Sequence, residues 1–259
     1  MNLQEKTIEL LQEKQNSVSV IIVSSKNKEY PLGTALVVTS HNYWGDYPIL
    51  KDELIYKART ALKDKKSHLE TLEEYGLEVY FDVIVSPEEI LIVGAGHIAV
   101  VLCKMASIVG FKVSVIDDRA EFVTEERFPT ATNRYAGNFV EILQNLEFNS
   151  NMYVVLVTRG HVHDRDCLRV ILQHDVAYLG VICSSRRKKI TEDILKQEGY
   201  TEQQIKNIFS PIGLPIGGET PEDISVSILS EIMAVKYRGK EWVLNIKDQY
   251  GFKKIKNEQ

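Results

Sequence analysis

The segment Glu89–Ala99, EILIVGAGHIA, constrains the fold of this chain more than any other part of it. An apolar run ends at a turn that contains Gly94 and Gly96, and a second apolar run compatible with a helix follows. This pattern predicts a buried strand, a tight turn and a helix. Gly94 permits the turn, Gly96 lets the backbone approach a phosphate, and the helix start offers free N–H groups to an anion. The segment therefore predicts a phosphate site of the kind found in nucleotide-binding domains.

An acidic residue stands where such a βαβ unit needs one. The apolar run Phe111–Ile116 predicts a second strand, and Asp117 follows it, about 20 residues after Gly96, where a carboxylate accepts hydrogen bonds from ribose hydroxyls. Asp118 is either part of the same site or a solvated loop acid. His97, inside the turn, is expected either to contact the ligand or to face solvent in the first helical turn.

Composition limits the classes of protein that this chain represents. Its 259 residues fit one large domain or two modest ones, and its net charge of −5 argues against a nucleic-acid surface. The charged, amphipathic start does not resemble a signal peptide, and no apolar run approaches the roughly 20 residues of a membrane span. The three cysteines are far apart, so we expect neither a disulfide framework nor a zinc site. We therefore expect a cytoplasmic location.

The pattern of predicted elements changes near Ser86-Pro87. From there onward strands alternate with helices, which predicts an α/β fold, a Rossmann-like parallel sheet with helices on both faces. Before it, helices and strands mix without a strong motif. We therefore expect a small α+β domain at residues 1–86 and a Rossmann-like domain at residues 87–259.

A polar cluster follows the predicted strand Met152–Val157. In an open parallel sheet the carboxyl ends of the strands line the ligand crevice, so Arg159, His161 and His163 are expected to face it. In an extended loop the two histidines, two residues apart, point the same way and are weak candidates for a metal site. Alternatively they are ordinary polar loop residues, and Asp164 caps the next helix.

A glycine-rich loop with Gly217, Gly218 and Glu219 precedes the predicted helix that starts at Thr220-Pro221. Such a loop either presents backbone N–H groups to an anion or simply connects two elements. The basic run at residues 186–189 also follows a predicted strand. It is either a solvated face or a site for an anionic ligand or partner.

Taken together, these loops resemble the xanthine dehydrogenase accessory family of the XdhC/CoxI type. The resemblance covers most of residues 90–235 and is carried, in order, by ILIVGAGHIA, VIDDRAEF, RFPTA, TRGHVHDRDCL, CSSRRK and SPIGLPIGGETPEDISVSILSEIMA. It implies a chaperone rather than an enzyme: a protein that binds molybdenum cofactor, protects it during sulfuration and delivers it to a molybdenum hydroxylase such as xanthine dehydrogenase. It also implies a homodimer and a cysteine desulfurase as a further partner.

The chain departs from the family pattern near its start, as a short, divergent member. A strand-like segment, Pro31–Val38, is present, but no GGC segment follows it and no cysteine precedes Cys103.

The resemblance also implies roles for the residues singled out above. The phosphate end of the cofactor and its attached group are assigned to Gly94, Gly96, His97 and Asp117, the pterin or metal side to Arg159, His161 and His163, and closure of the crevice to Gly217, Gly218 and Glu219. Asp118 is a further candidate for cofactor binding. Two alternatives rest on the glycine turn and Asp117, an NAD(P)-dependent oxidoreductase and a non-catalytic dinucleotide-binding protein. A metal-dependent hydrolase that uses the two histidines is a more distant one.

Overall fold

The computed structural model of the chain describes residues 2–45, 50–159 and 161–250, with the backbone alone at residues 161, 162, 185 and 250. Contacts divide the chain into two compact units, Met1–Pro87 and Glu88–Gln259. Across the described residues, no helix combines the length and the apolar character that crossing a membrane requires.

The first unit is an antiparallel sheet covered by helices. Its elements are α1 (Leu3–Gln12), β1 (Ser17–Ser25), β2 (Gly33–Val38), β3 (Tyr43–Trp44), α2 (Lys51–Asp64), β4 (His68–Leu72) and β5 (Leu77–Ile84). The five strands run in the order β3-β2-β1-β5-β4, and the apolar face of α2 packs on the core that this sheet forms. The edge strand β4 was not predicted.

The second unit confirms the Rossmann-like α/β class. Its elements are β6 (Glu89–Val93), α3 (His97–Ile108), β7 (Lys112–Asp117), β8 (Asn133–Ala136), α4 (Phe139–Gln144), β9 (Met152–Leu156), α5 (His161–Ile171), β10 (Tyr178–Val181), α6 (Ser185–Gln197), α7 (Glu202–Lys206), β11 (Ile208–Phe209), α8 (Pro221–Arg238) and α9 (Lys240–Tyr250). The six strands are parallel and run in the order β11-β10-β9-β6-β7-β8.

The sheet of this unit is buried on both faces, as the continuous apolar runs of its central strands require. One core contains side chains of α3, α8 and α9, and the other contains side chains of α4, α5, α6 and α7. The chain runs from β6 outward to β8 and then returns to β9 on the other side of β6. The order of strands therefore reverses between β6 and β9, and ligands of open α/β sheets bind at such a point, beyond the carboxyl ends of the strands.

Candidate functional site

The turn after β6 contains two glycines that differ in backbone conformation and in the space around them. Gly94 has a φ of +112°, and a Cβ there would lie 2.5 Å from the carbonyl oxygen of Val157. Gly96 is the N-cap of α3 with a φ of −72°, makes no side-chain cap hydrogen bond, and leaves open space around an added Cβ. The first turn of α3 contains no acidic residue. Its N–H groups and its positive dipole end therefore suit an incoming anion.

Asp117 holds this turn from the end of β7. It is 1% exposed and accepts hydrogen bonds from the backbone N–H of Ala95 at 2.7 Å and from Arg119 Nε at 2.8 Å and Nη2 at 3.0 Å. Burial alone would raise the pKa of Asp117, but these donors outweigh it and lower that pKa to about 2. The carboxylate is thus engaged within the protein, and its expected contact with a ribose stays a prediction.

Two arginines and one phenylalanine tie the segment after β7 to the turn. The guanidinium carbons of Arg119 and Arg127 lie 3.7 Å and 4.4 Å from the centre of the Phe122 ring. Arg127 Nη2 also donates to the carbonyl oxygen of Ala95 at 3.0 Å. Arg127 had no predicted role, although it belongs to the RFPTA motif, and the structure places its positive charge directly beside the glycine turn.

A cleft of about 650 Å³ opens at the start of α3. Its walls come from α3, the segment after β7 and the first residues of α8, and Ser225 Oγ of α8 donates to the carbonyl oxygen of Ile98 at 3.2 Å. The predicted site residue His97 is exposed and lines the cleft. The lining residues are His97, Val100, Val101, Glu121, Phe122, Arg127, Pro221 and Glu222.

The loop after β9 corrects the interpretation of the two histidines. Helix α5 begins at His161, so His161 and His163 are not in an extended loop, and helical positions two apart are about 200° apart around the axis. The geometric argument for a shared metal site was therefore wrong. Asp164 is not the N-cap either: it lies in the first turn, is buried, and accepts a hydrogen bond from Thr158 Oγ1 at 2.5 Å.

The exposed His163 ring lies 5.4 Å from the ring of Phe139, whereas the side chain of His161 is outside the described part of the chain. Among the side chains that are described, no group of three histidine, cysteine or acidic residues could hold a metal ion.

Arg159 and Asp118, predicted on different loops, meet in the structure. Arg159 Nη2 lies 3.1 Å from Asp118 Oδ1 and 3.0 Å from Oδ2, and Arg119 Nε lies 3.8 Å from Asp118 Oδ1. Both partners are near solvent, with side chains 56% and 31% exposed. This pair brings the second predicted loop to the glycine turn.

The loop with Gly217, Gly218 and Glu219 is exposed and leads directly into α8 at the cleft. Gly218 is required there, because a Cβ would lie 2.1 Å from the Cβ of Asp223, which forms a capping box with Thr220. The three loop residues are not in the lining of the cleft, and their expected role in closing it stays a prediction.

A buried carboxylate anchors the beginning of the same loop. Glu231 of α8 is fully buried and accepts hydrogen bonds from Tyr178 Oη at 2.5 Å and from the backbone N–H of Gly213 at 2.9 Å. Lys247 of α9 forms an ion pair with Glu231 and donates to the carbonyl oxygen of Pro211 at 2.6 Å. Burial lowers the pKa of Lys247.

The basic run begins α6 and borders a second, smaller cavity of about 200 Å³ on the other face of the sheet. Cys183 reaches this cavity from the end of β10, and its Sγ lies 2.8 Å from Ser210 Oγ. Arg165 and Arg187 are the cationic residues of the lining, and Asp164 is its acidic one. The basic run is thus separate from the cleft at α3.

Comparison with known proteins gives the same family as the motifs. The chain is 26% identical over 203 residues to a protein of Bacillus subtilis (strain 168) named as a probable xanthine dehydrogenase subunit, and the match covers 78% of this chain and 58% of that protein. It is 29% identical over 161 residues to the "Uncharacterized protein YqeB" of Escherichia coli (strain K12), covering 62% of this chain and 29% of that protein. The chain thus spans less than two thirds of the length of either relative.

A solved structure, described as a xanthine dehydrogenase from Bacillus halodurans, shares the fold. It matches with a TM-score of 0.55 at 16% identity, over 93% of this chain and 97% of the other. The model of the XdhC Rossmann domain family matches residues 90–232, which is more than half of the 259 residues. The resemblance read from the motifs is confirmed, and this chain belongs to the XdhC Rossmann domain family.

Proposed function

We propose that this chain binds molybdenum cofactor and assists its sulfuration and its insertion into a molybdenum hydroxylase of the xanthine dehydrogenase type. The observation that carries the proposal is the open start of α3: Gly96 leaves free space, no side chain caps the helix, and no acid stands in its first turn. A phosphate group fits this donor set, because it brings negative charge to unsatisfied N–H groups. Arg127 and His97 stand beside it in the cleft.

The metal end of the cofactor would extend from this anchor along the carboxyl edge of the sheet. When bound, the group supplies the dithiolene ligands and the molybdenum that the client enzyme needs. The chain's own part is to hold the phosphate on the α3 N–H groups and to shield the rest within the cleft. The described residues contain no preformed metal cluster, which suits a carrier that receives its metal already bound to the pterin.

The relatives suggest the partners of this carrier. A protein named as a probable xanthine dehydrogenase subunit matches 78% of the chain, which supports a molybdenum hydroxylase as the client. Cys103 and Cys167 are buried, and Cys183 lies at the second cavity, away from the cleft at α3, so the sulfur for sulfuration would come from a thiol of a partner such as a cysteine desulfurase. We further propose that the protein acts as a homodimer in the cytoplasm and catalyses no reaction by itself.

The test is the cofactor content of the protein purified from a host that makes molybdenum cofactor. Bound molybdenum is measured by elemental analysis and bound pterin by fluorescence after oxidation. Gly96→Asp places a carboxylate at the phosphate position and should abolish both signals. Thr201→Asp is the control, because it adds the same charge at the N-cap of another helix, α7, which precedes the edge strand β11. It should leave the molybdenum and pterin signals unchanged. Pterin that survives Gly96→Asp would refute this placement of the site.

A nicotinamide dinucleotide is the second candidate ligand, because the strand, glycine turn and helix form the βαβ unit that binds such molecules. The same purification decides between the two. Recovery of stoichiometric NAD(P) without pterin, again lost in Gly96→Asp, would replace the carrier proposal with a dinucleotide-binding protein. Consumption of NADH with a carbonyl substrate would then separate an oxidoreductase from a non-catalytic binder.

A further inference from the structure

The ion pair between Arg159 and Asp118 crosses over the glycine turn. In the sheet, Val93 of β6 is paired with Leu156 of β9 on one side and with Ile116 of β7 on the other. Gly94 follows Val93, Arg159 comes shortly after Leu156, and Asp118 comes shortly after Ile116. Since neighbouring strands are about 4.8 Å apart, β9 and β7 are separated by about 10 Å, with the end of β6 between them. The pair therefore bridges the two loops on either side of the end of β6, where the glycine turn begins.

The carboxylate of Asp118 meets Arg159 as a ligand phosphate would. A single guanidinium nitrogen of Arg159, Nη2, lies at 3.1 Å and 3.0 Å from the two carboxylate oxygens. Guanidinium groups bind carboxylates and phosphates through the same N–H donors, so one can replace the other without a change of partner type. Arg159 follows β9 and α3 follows β6, and because these parallel strands are neighbours, both lie at the same carboxyl edge of the sheet.

We propose that Asp118 is an internal substitute for the ligand anion, and that Arg159 leaves it to bind the phosphate group when the ligand arrives. The inference rests on the proposed anion site at α3 and adds the residue that selects the ligand. Asp118 does not lose its only cation in the exchange, because Arg119 Nε remains 3.8 Å away. Both side chains of the pair are near solvent, so breaking it requires little free energy.

The exchange gives the site a preference for anions with more negative charge than a single carboxylate. A phosphate ester or diphosphate has more negative charge and more acceptor oxygens than the carboxylate of Asp118, and it also receives the helix N–H groups. A monocarboxylate matches Asp118 in charge and gains little by replacing it. The site should therefore accept phosphate esters and diphosphates and reject carboxylates of similar size.

The experiment measures the binding of inorganic pyrophosphate by calorimetry at low ionic strength, where exposed charges are least screened. Asp118→Asn frees Arg159 and should tighten binding by about two- to fivefold, the fold-change that corresponds to an exposed ion pair. Arg159→Gln should weaken binding by a similar or larger factor. Acetate should bind the wild-type protein at least tenfold more weakly than pyrophosphate.

The double variant Asp118→Asn, Arg159→Gln tests the exchange itself. If Asp118 acts by occupying Arg159, its substitution brings no gain once Arg159 is absent. An equal gain in both backgrounds would mean simple charge repulsion and would overturn the proposal. Glu121→Gln is the matched control, because it removes a nearby acid, one that lines the cleft, and leaves both Asp118 and Arg159 in place. A gain from Glu121→Gln as large as that from Asp118→Asn would also overturn it.

Gly96→Asp separates the two proposals. If Gly96→Asp abolishes pyrophosphate binding while Asp118→Asn has no effect, the anion site stands and the exchange is wrong. If no variant changes the binding, or the wild-type protein binds no pyrophosphate, both proposals fail.

Discussion

Substitution of Gly94 by alanine should destabilise the second unit strongly, whereas the same substitution at Gly96 should not. A Cβ added at Gly94 would be 2.5 Å from the carbonyl oxygen and 2.8 Å from the carbonyl carbon of Val157, distances that real Cβ contacts do not show. Both atoms belong to the backbone at the end of β9 and cannot rotate away. The φ of +112° adds strain that alanine cannot relieve.

The cost follows from these two terms. A non-glycine residue at a positive φ costs about 1–2 kcal/mol, and forcing an extra methyl group into packed surroundings costs about 1–3 kcal/mol. Together they give a loss of about 2–5 kcal/mol, a large part of the roughly 5–15 kcal/mol that holds a domain folded. At Gly96 the φ of −72° suits alanine and nothing lies within 4 Å of the added Cβ. There we expect a change within about 0.5 kcal/mol.

Equilibrium unfolding in urea measures both variants. The chain has two tryptophans, Trp44 in the first unit and Trp242 in α9 of the second, so a Trp44→Phe background leaves Trp242 as the reporter of the second unit. With an m-value of about 2 kcal/mol/M, Gly94→Ala should lower the midpoint by about 1–2.5 M. If Gly94→Ala lowers the urea midpoint by less than about 0.5 M, or if Gly96→Ala lowers it equally, the conclusion that only Gly94 must be a glycine is refuted.

Three further predictions concern buried charge and capping. Asp117→Asn should cost about 2 kcal/mol at pH 7, because a pKa of Asp117 lowered from 3.8 to about 2 stabilises the folded state above pH 4. This stabilisation is lost as the pH falls towards 2, so the urea midpoints of the wild type and the variant should differ less at pH 3 than at pH 7. An equal difference at both pH values would contradict this. Lys247→Met leaves Glu231 buried without its cation and should lower the free energy of unfolding by about 3 kcal/mol. Adding Glu231→Gln to Lys247→Met should restore part of this loss. Strictly additive losses from the two substitutions would argue against the ion pair. Thr220→Ala removes the N-cap acceptor of α8 and should cost about 1 kcal/mol, whereas Thr220→Ser should cost less, as thermal unfolding followed by circular dichroism would show; equal losses would exclude the capping hydroxyl.

Local signals in the sequence predicted most of the second unit. The apolar run into Gly94 placed β6 and α3, and the Thr220-Pro221 pair marked the start of α8, because each depends on residues close together in the chain. The edge strand β4 was missed, since its polar residues, HLETL, form a strand only by pairing with β5. The start of α5 at His161 was missed when Asp164 was considered as its cap, because the hydrogen bond that holds Asp164 comes from Thr158 in the preceding loop.

The site was predicted as a set of residues but not as an arrangement. The sequence places Asp117 at the end of a strand, yet the approach of Arg119 and the Ala95 N–H to its carboxylate depends on how the chain turns after β7. The meeting of Arg159 with Asp118 depends on strand order, which no local pattern contains. Arg127 reaches the glycine turn in the same way, through packing on Phe122.

The contact between Gly94 and Val157 also has a consequence for biosynthesis. The ribosome makes β6, the glycine turn and α3 well before it makes β9, and folding of the nascent chain proceeds from its N-terminal side at about 5–20 residues per second. The turn closes against a carbonyl group that does not yet exist when α3 emerges. Until β9 is added, the start of α3 lacks its support on that side. The ligand that we propose for this turn would therefore enter a completed domain and would not accompany the chain during synthesis.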